Sequence, residues 1–157
     1  MDVMIILGSR SDLPIGEKVK STLKDFGVDC KLTVASAHRT PDVVIKLVEK
    51  SDAKVFIAVA GLSAALPGFI AAHTQRPVIG VPVSGKVNID SILSITQMPP
   101  GVPVAAVGLD AGENAALLAV EILALLDKRL EGELISYRSR QRERVLSDAR
   151  EVGGDGV

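Results

Sequence analysis

The chain holds no tryptophan, one tyrosine and three phenylalanines. Its core therefore has to come from Val, Ile, Leu and Ala, in a chain whose hydrophobic residues make up 47% of the total. Cysteine is as scarce: Cys30 is alone, which excludes an intramolecular disulfide. It alternates within "VDCKLTV" and reads as a small strand residue rather than a nucleophile. The two histidines, His38 and His73, lie far apart, so no zinc-type cluster is formed and no metal site is expected. Charge of one sign is also missing. With 18 Lys+Arg against 19 Asp+Glu the net charge is −1, which gives no global pull toward nucleic acid or an anionic membrane. No apolar run is long enough to span a bilayer. The stretch "MDVMIILGSRSD" has an acid where a signal peptide carries a base, and only a short apolar run. A cytoplasmic protein with neither nucleic-acid nor membrane partners is expected.

What is present is alternation. "DVMIIL" reads as a strand, and residues 12–26 follow with Ile15, Val19, Leu23 and Phe26 at helical spacing, stopped by Gly27. "VDCKLTVA" is a second strand. Thr40-Pro41-Asp42 opens a helix, with Thr40 as N-cap and Pro41 in the first turn. "KVFIAVA", "PVIGVPV" and "VPVAAVGL" are further strands, each followed by a helical segment. Five such units predict an α/β three-layer sandwich, with a parallel flavodoxin-like or Rossmann-type sheet and helices on both faces. One α/β catalytic domain is expected over 1–130, with 131–157 as a helical arm and polar tail of the same domain.

From Ala115 to Leu126 every residue except Glu121 is apolar. A surface helix should show a polar face. A subunit interface is the expected explanation, ahead of burial within the chain's own fold. The arm "ELISYRSRQRERVLSDAREV" carries four arginines between 138 and 144, partly balanced by nearby acids, and suits a solvated or subunit-embracing helix.

Ligands of parallel α/β sheets bind beyond the carboxyl ends of the strands. That rule selects five corners: "GSRSD", "SAHRTP", "AGLSAALPG", "PVSGKVNID" and "LDAGEN". In the first, Ser9, Ser11 and a helix start make a fair anion cradle, though not a P-loop or a dinucleotide motif. Asp12 would repel a phosphate. It is either a helix-start acid or an acceptor for sugar hydroxyls. Arg39 can grip phosphate through two parallel donors, or form a surface ion pair. His38 is the only ring in these corners that titrates near neutrality, and it adjoins that candidate anion-binding arginine. His73 lies near a helix end, where a structural role is expected. No motif for a metal, flavin or nicotinamide appears.

These corners, in this order, closely resemble the N5-carboxyaminoimidazole ribonucleotide mutases, the PurE family of purine biosynthesis. The resemblance runs from residue 4 to about 125, and "SAHRTP" with "QMPPGVPV" is its most specific part. It implies a cofactor-free isomerase, usually a homo-octamer, that moves a carboxylate on aminoimidazole ribonucleotide from the exocyclic nitrogen to ring C4, through carbon dioxide. Carried onto this chain, it implies His38 as the general acid/base. Ser9, Asp12 and Arg39 would hold the ribose phosphate, with Ser11, Ser36 and Ser63 as further substrate-binding residues. One stretch departs. Mutases read AGGAAHLPG where this chain reads "AGLSAALPG", so Ala65 replaces a second histidine and Ser63 is added. Those two residues are similar to the related carboxylases, lyases that use free carbon dioxide directly. Mutase and carboxylase both stay open, with mutase ahead. A non-catalytic sensor of a purine intermediate is the alternative from another class.

Overall fold

Three strands are buried end to end: β1 (Val3–Leu7), β3 (Val55–Ala60) and β4 (Val78–Pro82). Such strands have both faces covered, as a parallel sheet between helical layers requires. In the computed structural model, which describes residues 1–153, they form the centre of a five-stranded parallel sheet. The edges are β2 (Cys30–Val34) and the two-residue β5 (Ala105–Ala106). The strand order β2-β1-β3-β4-β5 is that of flavodoxin-like folds. Register is continuous across the centre, with Ile5 opposite both Leu32 and Ile57, and Ile57 opposite Ile79.

The helices are α1 (Leu13–Asp25), α2 (Pro41–Lys50), α3 (Leu66–Ala71), α4 (Asn88–Thr96), α5 (Gly112–Ala124) and α6 (Lys128–Gly153). Strand side chains alternate between faces. Met4, Ile6, Phe56, Ala58 and Val78 join Val44 and Val48 of α2, Leu66 and Ile70 of α3 and Ile95 of α4 in one buried cluster. On the other face Gly16 of α1 lies against Leu7 and Leu32, and Gly112 at the start of α5 lies against Ile15 and Val19. Three layers result. At Gly80 in β4 a Cβ would sit 2.5 Å from Ile95 Cγ2 and 3.1 Å from Pro67 Cβ. Only glycine allows α3 and α4 to approach the sheet so closely there.

Arg76 closes the end of α2. Its guanidinium donates to the carbonyl oxygens of Val48, Ser51 and Ala53 at 2.7–3.0 Å and lies 4.8 Å from the Phe56 ring centroid. Those carbonyls have no partners in the helix itself, so the charge-assisted bonds answer a real need.

The chain divides into two compact units, Met1–Ala119 and a second beginning at Val120. In the second, Arg138 of α6 pairs with Glu121 at 2.6 Å. The expected polar tail at 154–157 lies outside the described residues. Two expectations need correction. Thr40 is the N-cap of α2 by position, yet its side chain makes no cap bond. Its Oγ1 instead accepts from Ser36 N at 3.0 Å and donates to Ser36 O, so it braces the preceding corner. The fifth strand is much shorter than "VPVAAVGL" suggests. β5 pairs only through Ala105 and Ala106, both exposed, at a sheet edge.

Candidate active site

Beyond the carboxyl ends of the strands, the corners after β1, β2, β3 and β4 enclose a pocket of about 540 Å³. Ser9, Ser11, Asp12, Ser36, His38, Arg39 and Ser63 all line it. The sequence-predicted residues are therefore brought together without exception. His73 is not among them: its Nδ1 bonds Phe69 O at 2.8 Å at the end of α3, the structural role expected of it.

The first corner is a closed hydrogen-bond ring. Asp12 ends a single 3₁₀ turn (Arg10–Asp12), and its Oδ2 accepts Ser9 N–H at 3.0 Å. Oδ1 accepts the Ser11 hydroxyl at 3.2 Å, while Ser9 Oγ accepts Ser11 N–H at 3.4 Å. This is a capping box in which the acid turns back to satisfy the cap's own N–H. Asp12 thus fills its helix-start role in this structure. Each carboxylate oxygen keeps spare acceptor capacity for a sugar hydroxyl. Burial pushes the Asp12 carboxyl above its ordinary pKa, opposed by the Ser11 hydroxyl, the Ser9 N–H and the Arg39 charge.

Arg39 links the first two corners. Its Nη2 donates to Gly8 O at 3.1 Å and its Nε to Ser36 Oγ at 3.3 Å. Ser36 Oγ also accepts the backbone N–H of Arg39. The guanidinium is thereby oriented at the pocket while its remaining N–H groups stay available for an anion. His38, one residue earlier, is exposed at the same rim, and its ring has no hydrogen-bond partner among the described residues.

Apart from the Ser63 hydroxyl, the wall from the β3–α3 corner is apolar: Ala60, Leu62, Ala64, Ala65 and Leu66. Val83, Ser84 and Gly85 complete it from the β4–α4 corner. Sequence reasoning named that corner but none of its residues, and it missed the brace behind them. Asp110, at φ +56°, accepts Ser84 N–H through Oδ1 at 2.9 Å and donates its own N–H to Pro82 O. Aspartate tolerates left-handed backbone better than most residues, which is the one available signal in "LDAGEN".

Residues 2–144 match the AIR carboxylase family. The chain belongs to that family. Among named members, the N5-carboxyaminoimidazole ribonucleotide mutase of Methanocaldococcus jannaschii is 53% identical over 151 residues, covering 96% of each chain. The phosphoribosylaminoimidazole carboxylase of Saccharomyces cerevisiae is 45% identical over 96% of this chain but only 27% of its own length. The crystal structure of Treponema denticola PurE superposes with a TM-score of 0.88 at 32% identity, over 96% of this chain and 98% of that one. Within the family frame, the departures at Ser63 and Ala65 have a definite place. Both line the pocket.

Proposed function

We propose that this protein is an N5-carboxyaminoimidazole ribonucleotide mutase of purine biosynthesis, an isomerase that transfers a carboxylate from the exocyclic nitrogen to ring C4. The observation that carries this reading is the pocket itself, which an imidazole, an oriented guanidinium and a largely apolar corner line together. Ser9, Ser11, Ser36 and Arg39 suit a ribose phosphate, and Asp12 suits sugar hydroxyls. His38 serves as general acid/base. Protonated, it delivers a proton to the exocyclic nitrogen. The nitrogen–carboxyl bond then breaks, its electron pair staying on nitrogen, and carbon dioxide is set free. The enamine-like C4 attacks that carbon dioxide, and the now neutral imidazole removes the C4 proton. One proton is given to nitrogen and a different one is taken from C4, so His38 ends the cycle protonated as it began. Holding carbon dioxide beside C4 replaces a bimolecular encounter with a positioned one.

A homo-octamer in the cytoplasm completes the proposal. Along α5 the alanines Ala115, Ala116 and Ala119 are buried, whereas Leu117, Leu118 and Ile122 are only half-buried. Leu125 and Leu126 beyond it are 81% and 97% exposed. Apolar surface of that kind suits contact with further copies. Among the described residues no helix is long and apolar enough to cross a membrane.

Ser63 and Ala65 favour a second reading, direct carboxylation of aminoimidazole ribonucleotide by free carbon dioxide. One assay separates the two. Pure protein is given the N-carboxylated ribonucleotide without bicarbonate, or aminoimidazole ribonucleotide with it. A mutase turns over the first at the higher kcat/KM. Preference for the second assigns the carboxylase, and binding without turnover of either assigns a sensor.

A further inference from the structure

The turn between β3 and α3 carries a conformational cost that its fold does not explain. Ala64 N donates to Gly61 O at 3.0 Å, closing a four-residue turn with Leu62 and Ser63 at its centre. Leu62 has φ +54° and Ala64 φ +30°. Positive φ at the first central position of such a turn is normally left to glycine, because a Cβ crowds the backbone there. Ala64 is buried, so its methyl group packs in the core. Leu62 has no such compensation: it is 75% exposed. Glycine at 62 would remove the strain and the exposed apolar surface together. Leu62 nevertheless lines the pocket, as do the apolar Ala60, Ala64, Ala65 and Leu66 of the same corner. Strain that packing does not explain, held at a pocket rim, points to a use for the side chain when the pocket is filled.

We propose that Leu62 is a specificity-determining residue, the apolar wall that retains carbon dioxide between the two halves of the reaction. The inference rests on the mutase reading. After the nitrogen–carboxyl bond breaks, the freed molecule is neutral, linear and without hydrogen-bond donors. Polar groups on the Arg39 side of the pocket have little hold on it. These apolar side chains are the surface that suits it, and Leu62 is the exposed one among them. Two fates then compete. Carbon dioxide reacts with C4, whose own proton passes to His38, or it escapes and leaves aminoimidazole ribonucleotide as a by-product. The isobutyl group of Leu62 favours the first by blocking the exit and by keeping water from these side chains.

The test compares wild type with Leu62→Gly, Leu62→Ala and Leu62→Met. Each is supplied with the N-carboxylated ribonucleotide, and the 4-carboxylated product and released carbon dioxide are both measured above the enzyme-free rate. The expected result is a rise of about tenfold in the ratio of released gas to product for Leu62→Gly. Leu62→Ala should fall between, and Leu62→Met should stay close to wild type. Thermal stability of Leu62→Gly should be equal to or above wild type, because the left-handed strain is gone. A wild-type partition ratio in Leu62→Gly overturns the proposal, whatever happens to the total rate. A change of oligomer mass with an unchanged ratio also overturns it, and assigns Leu62 to a contact between copies. If wild-type protein does not convert the substrate at all, the mutase reading fails first and takes this role with it, an outcome distinct from unchanged partitioning.

Discussion

Replacing Arg39 with alanine should separate binding from folding. In the folded protein the guanidinium makes two side-chain bonds, to Gly8 O and Ser36 Oγ, at an exposed rim. Water can replace both, so the stability loss should stay within about 1 kcal/mol. A phosphate held by the same guanidinium is a different matter. Truncating one partner of a close charge pair costs about 2–5 kcal/mol, and exposure of this rim argues for the lower half of that range. At about 1.4 kcal/mol per factor of ten, the affinity should fall roughly 30- to 300-fold. Arg39→Lys keeps the charge but loses the planar fork that also engages Ser36, so it should lie between the two. Isothermal titration of the ribonucleotide product into each variant reads these numbers directly. Weakened binding should come with a shallower salt dependence, since one screened charge contact has gone. Unchanged affinity in Arg39→Ala would refute the phosphate assignment.

Asp12→Asn should weaken the ribonucleotide while making the protein more stable at neutral pH. Burial raises the Asp12 pKa, so its ionised form costs stability above the folded-state pKa. The variant's advantage should shrink as pH falls through the raised pKa toward the ordinary carboxylate value, which urea melts at neutral and acidic pH would reveal. Arg76→Met should destabilise by about 2–4 kcal/mol in chemical denaturation, leaving the Val48, Ser51 and Ala53 carbonyls without their donor. Its KM should barely move, because Arg76 is not among the residues lining the pocket. Leu118→Glu should split the oligomer or prevent folding, because an interface core cannot solvate a carboxylate. Light scattering checks this, and a wild-type monomer at micromolar concentration would contradict the interface.

The parts of the fold that were legible are those where burial acts on a whole run of residues. β1, β3 and β4 read as unbroken apolar strands because helices cover both their faces. "VPVAAVGL" reads as a longer strand than β5, because an apolar run does not show how many of its residues find a sheet partner. Arg39 and His38 stand out in the sequence as candidates by residue type and position at a strand end, and the fold brings both to the pocket. The hidden features are those set by backbone dihedrals and by partners distant in sequence. Nothing in the letters of "AGLSAALPG" shows that Leu62 lies at positive φ. Thr40 looked like a helix cap, but a competing bond to Ser36 took its hydroxyl. Asp110 bonds Ser84 across 26 residues, a pairing that only the sheet order brings about.

The central claim is that His38 gives a proton to the exocyclic nitrogen and takes one from C4. His38→Asn tests it most directly, because asparagine keeps comparable bulk and hydrogen bonding but does not titrate near neutrality. The exposed ring contributes little to the core, so the variant should fold and bind the ribonucleotide within a few-fold of wild type. Its turnover should fall by about 10²–10⁴-fold, and by the upper part of that range if one ring serves both proton steps. Near-normal kcat in His38→Asn, with binding intact, would contradict the mechanism and leave "SAHRTP" as a phosphate-binding corner.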